Sequence, residues 1–176
     1  MPTPRPPLLF LDVDGPLNPY AAHRTPVGYT ARRFGRTGPA GRHLPGQGRL
    51  NPGHGPRLMA LGCELCWATA WMDEANTWIG PELGLPRLPY VDFGGGLFAE
   101  RPDGVHWKTA ALLAHAAGRP FVWVDDEQTE ADHAYVAARH PAPALLHHVD
   151  PRRGLADADF AALASFAASL GSTANR

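Results

Sequence analysis

The sequence predicts an α/β domain whose central parallel sheet carries helices on both faces. Three observations predict it. Leu8-Leu9-Phe10-Leu11 and Phe121-Val122-Trp123-Val124 are unbroken apolar runs, as suits strands buried on both faces. Strand-like and helix-like segments alternate along the second half of the chain. Both apolar runs end in acids, Asp12-Val13-Asp14-Gly15 and Asp125-Asp126-Glu127, where an open parallel sheet places its ligands. At 176 residues the chain makes one domain with a real core.

Residues 1–7, rich in proline, read as a disordered lead-in to the first strand. The domain is expected over 8–171, followed by a tail at 172–176. Residues 16–56 are crowded with Pro, Gly and Arg and too poor in apolar residues for a second core, so they read as a long, mostly irregular flap. A short helix is expected at 56–61, a strand at 63–68 ending at Thr69, a helix at 72–79 and a short strand at 90–93. Gly94-Gly95-Gly96 lacks the spacing of a dinucleotide fingerprint and reads as a turn. A helix at 107–117 stops at Gly118-Arg119-Pro120. Thr129 with Asp132 forms a capping box that opens a helix to Arg139. A last strand at 144–149 precedes a helix capped by Asp157, with Phe160, Leu163, Ala167 and Leu170 on one face.

No segment is long and apolar enough to span a membrane. Two cysteines, Cys63 and Cys66, make no disulfide scaffold, so a reducing cytoplasm is expected. Their C-x-x-C spacing lies in a strand with no second pair, which favours core packing over metal binding. Net charge is −1, unevenly spread. Residues 15–63 hold seven arginines and no acid, which points to a phosphate-rich partner. Only one of the 16 cationic residues is lysine, Lys108; it marks a place that needs a compact point charge.

Asp12 and Asp14 repel each other unless a cation or a shared proton compensates. Thr69, Lys108 and the Asp125-Asp126 pair join them at strand or helix ends, in that order along the chain. Each signal alone is weak; together they are specific.

This pattern resembles the haloacid dehalogenase-like phosphohydrolase superfamily. The resemblance spans residues 8–127 and implies a Rossmann-like three-layer sandwich without a large cap domain. It implies Asp12 as the nucleophile that forms an aspartyl-phosphate, and Asp14 as general acid, then base. Thr69 would donate to a phosphoryl oxygen and Lys108 would neutralise charge. Mg2+ would be held by the Asp12 carboxylate, the Asp14 carbonyl and Asp125 or Asp126. Gly15 would let the loop turn its N–H groups to the phosphate. Pro16 departs from the family's usual Thr or Val and removes one N–H, leaving those of Val13, Asp14 and Gly15.

The expected substrate is a phosphorylated one, leaning to nucleotides or nucleic-acid ends, with no membrane and no obligate protein partner. Arg32 and Arg33 in the flap, with Ala70, Trp71 and Asn76 after Thr69, are the candidate substrate contacts; for Trp71 core packing is favoured over stacking on a base. His54 reads as a loop residue, His106 and Trp107 as pocket lining or core, and His147 and His148 as neighbours that alternate across a strand. Small metabolites such as sugar phosphates stay open as substrates, as does a non-catalytic binding or regulatory domain. Carbon–halogen or carbon–phosphorus cleavage is disfavoured, because Asp14 suits protonation of an alkoxide.

Overall fold

A computed structural model describes residues 5–37 and 43–173. Its centre is a four-stranded, all-parallel sheet in the order β4-β1-β5-β6. These strands are β1 (Leu8–Leu11), β4 (Glu64–Trp67), β5 (Phe121–Asp125) and β6 (Ala144–His148). The inner strand β1 is apolar throughout because both its faces are covered. Leu9 and Leu11 join one core with Trp67, Val122 and Val124. Leu8 and Phe10 join the other with Cys66, Phe121 and Trp123. The first core is closed by α1 (His54–Met59) through Leu58 and by α5 (Asp157–Thr173) through Phe160 and Leu163. The second is closed by α3 (Thr109–Ala116) through Leu112 and Ala116, and by α4 (Glu130–Arg139) through Val136. The predicted parallel sheet with helices on both faces is therefore present. Among the described residues no helix is long and apolar enough to cross a membrane.

The flap departs from expectation. It contains a two-stranded antiparallel hairpin, β2 (Thr30–Thr37) and β3 (His43–Leu50), paired from Thr30↔Leu50 to Thr37↔His43. Glycines and a proline in β3 hide the alternation that would signal a strand, and among the hairpin residues whose side chains are described only Phe34 and Leu50 join the core. Gly35 and Gly48 are needed for packing, since a Cβ there would meet Trp78 at 2.9 Å and Phe34 at 2.6 Å. The expected strand at 90–93 reduces to one bridge, Trp67↔Tyr90. Helix α2 (Glu74–Trp78) starts later than predicted because Met72 takes a left-handed backbone, φ 47°.

The capping box forms as read, with Thr129 and Asp132 bonded reciprocally. Asp157 is the first residue of α5 and pairs with Arg57; Asp159 instead accepts the Ala156 N–H at 2.7 Å. Helix α5 runs to Thr173, into the expected tail, and residues 174–176 lie outside the described residues. Of the lead-in, residues 1–4 likewise lie outside, and 5–7 form no regular element. Cys63 and Cys66 are free thiols packed in or against the core, and burial pushes the Cys66 thiol up to about 12.

His54 is no loop residue: it opens α1, buried between the rings of Tyr29 and Phe160. Burial, helped by Arg57, lowers its imidazole from 6.5 to about 4. Its contribution to stability is full above pH 6.5 and lost as pH falls towards 4, because only the unfolded chain takes up the proton readily. His54→Phe should flatten the pH dependence of unfolding free energy across that window by roughly 2 kcal/mol, read by urea melts; parallel curves would contradict this.

Candidate active site

Asp12 follows β1 and Asp125 ends β5, so hydrogen-bonded neighbour strands deliver two carboxylates to one end of the sheet. Strand alternation puts Trp123 on the same face as Asp125, and its indole N–H donates to Asp125 Oδ2 at 3.0 Å. Lys108, just before α3, reaches the same place. Its Nζ donates to Asp12 Oδ2 at 2.8 Å and to Asp125 Oδ2 at 2.7 Å, and the side chain is 2% exposed. The lone lysine is thus a buried point charge shared by two acids.

Asp132 fixes the segment that carries Lys108. Besides capping α4, its buried carboxylate accepts the His106 N–H at 2.8 Å and the Thr109 hydroxyl at 2.5 Å. One side chain therefore ties the start of α4 to both sides of Lys108. Asp126, next to Asp125, completes a three-acid group with Asp12 in which ligand oxygens lie within 4.8 Å of one another.

The charges are under tension. Burial pushes the Asp12 carboxyl up and Asp125 pushes it the same way, while the Lys108 ammonium bonded to it pulls it down. Burial opposes the charge on Lys108, but Asp12 and Asp125 outweigh it and hold the ammonium above its usual range. Burial also raises Asp126, against the hydrogen bond from Tyr20. Three carboxylates against one ammonium leave an excess of negative charge, and an all-oxygen donor set of this kind suits a hard divalent cation.

Asp14 lies outside that group. Its Oδ1 accepts from Asn18 Nδ2 at 2.8 Å and its Oδ2 from Trp71 Nε1 at 2.9 Å. The loop after Asp12 is also tighter than expected. Val13 N–H donates to the Asp12 carboxylate at 2.7 Å, and Gly15 N–H donates to the Asn18 carbonyl at 2.9 Å. Of the three expected phosphate-facing N–H groups, only that of Asp14 has no partner among the described residues. Gly15 is required for another reason: φ is 94°, and a Cβ would lie 2.5 Å from the Asp126 carboxyl.

A cavity of about 300 Å³ opens over these acids, and Thr69, Ala70, Trp107 and Lys108 help to line it. Thr69 accepts the Trp71 N–H at 3.3 Å, leaving its hydroxyl proton to donate. Trp71 is buried and packs edge-on against Phe34, so it braces Asp14 instead of offering a face to a base. Asn76 does not join the site: its amide bonds Trp67, Asp73 and both backbone groups of Leu88. Arg32 and Arg33 line a separate groove beside the hairpin. His106 bonds Glu127 at 3.2 Å, and His147 bonds Asp159 at 2.8 Å.

Asn18 and Tyr20 were not legible as site residues. Tyr20 donates its hydroxyl to Asp126 Oδ2 at 2.8 Å. Both stand in the Arg-rich stretch, where nothing but their nearness to Asp14 in sequence marks them. No family model, curated protein or solved structure matches the chain.

Removing the ammonium would strand Asp12 and Asp125 as uncompensated buried charges. Lys108→Met should therefore cost about 3–5 kcal/mol in urea unfolding. Adding Asp125→Asn should recover part of that loss; an additive double variant would show that the ion pair does not exist.

Proposed function

We propose that this chain is a Mg2+-dependent phosphohydrolase of the haloacid dehalogenase-like type, acting on phosphomonoesters through an aspartyl-phosphate on Asp12. The observation that carries this reading is the buried Lys108 ammonium shared by Asp12 and Asp125, with Asp126 beside them. The parallel α/β sheet is compatible with the Rossmann-like core this reading requires. Among its described residues the 16–56 insert holds one hairpin and no helical bundle, which fits a site without a large cap.

An Asp12 carboxylate oxygen attacks the phosphorus, and the bond from phosphorus to the ester oxygen breaks. The departing oxygen takes its proton from Asp14. Water, losing a proton to Asp14, then attacks the same phosphorus; the bond to Asp12 breaks, phosphate leaves and Asp12 is restored. Each Asp14 oxygen keeps a lone pair for that proton beyond the bonds from Asn18 and Trp71. Lys108 and the Thr69 hydroxyl face the phosphoryl oxygens and offset their charge.

Mg2+, when bound, screens the acids from the phosphate dianion and polarises the phosphoryl group. Asp12, Asp126 and the Asp14 carbonyl are its protein ligands in this reading. Asp125 is less free, since Lys108, Trp123 and the Glu127 N–H already occupy its oxygens. Its part is to hold Lys108.

Asp12→Asn should abolish Mg2+-dependent phosphate release, by at least about a thousandfold, while circular dichroism stays native. A chelator should do the same to the parent protein. Undiminished turnover in Asp12→Asn would rule out the nucleophile, and release of sugar phosphates alone would redirect the reading to small metabolites.

A further inference from the structure

We infer that the arginine groove beside the hairpin and the acid cavity form one leaving-group site for single-stranded nucleic acid bearing a terminal phosphate. This rests on the phosphohydrolase reading above and adds what that reading lacks, a substrate class and the residues that select it.

The groove is a cavity of about 600 Å³, twice the volume of the acid cavity, and Tyr20 lines both. Arg32, Arg33 and Arg49 line it, with Asn18 and Gln47; Arg33, Gln47 and Arg49 share one face of the hairpin, and Arg32 lies on the other. Arg32 is tied to Glu82, and Arg49 donates to the Ala22 carbonyl at 2.9 Å, so these two are fixed in place. Arg33 is exposed and pairs with no acid among the described residues. Arginines in a groove that shares Tyr20 with a phosphate-cleaving pocket fit a ligand with further phosphates, since arginine matches phosphate geometry.

The aromatic residues choose among such ligands. Tyr20 is 56% exposed and Phe98 60%, and both line the acid cavity. Phe98 also holds a left-handed backbone, φ 58°, a strained conformation for a bulky residue. Large rings left open to water at a cavity mouth give platforms on which unpaired bases stack. Rings at the cavity mouth with arginines in the adjoining groove match a chain that carries both bases and phosphates. A phosphopeptide offers one phosphate and no regular partner for the groove, and a duplex keeps its bases stacked away from the rings.

The groove also touches the chemistry. Asn18 holds Asp14 and accepts the Arg49 N–H at 3.0 Å, while Tyr20 holds Asp126. A strand lying there contacts the residues that position two acids of the site.

The test compares kcat/KM, with Mg2+, for para-nitrophenyl phosphate, a phosphoserine peptide and single-stranded oligothymidylates phosphorylated at either the 5′ or the 3′ end. At low salt the oligomer with the favoured end should exceed the nitrophenyl ester at least tenfold, and its advantage should fall steeply with salt. Arg33→Ala should lower that ratio several-fold and make the salt slope shallower by about 0.7, the loss of one phosphate contact on a single strand. Phe98→Ala should lower the ratio without changing the slope. If the nitrophenyl ester turns over but oligomers gain nothing, or the peptide is preferred, the nucleic-acid site is overturned and the phosphohydrolase reading stands. If no ester is hydrolysed, that reading fails and the substrate inference falls with it.

Discussion

The structure is organised around the ammonium of Lys108, buried between Asp12 and Asp125. Carboxylates at the ends of neighbouring strands can stay close in a dry setting only if a positive charge stands between them. That charge must arrive from the helix side at a fixed depth. Asp132 supplies this by bonding both flanks of Lys108 while it caps α4. Sheet, α3 and α4 are therefore locked together at the one point where the charges are highest. The arrangement costs desolvation, and its geometry leaves the acid group still short of positive charge.

That residual imbalance connects the fold to its chemistry. A site with excess negative charge and only oxygen donors suits a hard divalent cation and, through it, a phosphate. Asp14 is handled separately, braced by Asn18 on the flap side and Trp71 on the sheet side. Two acids one residue apart are thus given different surroundings. Such a division suits a nucleophile and a proton carrier in one short motif.

Much of the sheet was legible because its signals are local. The apolar runs of β1 and β5, the Thr129/Asp132 capping box and the Gly118 stop each report their own element. The hairpin was not legible, since its strands are Gly- and Arg-rich and bury little; pairing with each other and packing on Trp78 define them. Tyr90 pairs through a single bridge, which leaves no periodic trace. The site divides the same way. Asp12, Thr69, Lys108 and Asp125/Asp126 could be read because each sits at an element's end. Asn18 and Tyr20 depend on contacts across 4 and 106 residues, with no pattern to mark them. Asn76 misled because its place after Thr69 suggested substrate, whereas α2 needs its amide to hold Leu88.

If the proposed reaction is right, Asp12 becomes covalently phosphorylated during turnover. Quenching the protein during incubation with Mg2+ and a phosphomonoester, then reducing with borohydride, converts an acyl phosphate to an alcohol that peptide mass mapping can locate. Reduction is expected at residue 12 alone, dependent on substrate and Mg2+. Phosphate release at full rate with residue 12 unmodified, or with the modification at another acid, would contradict it.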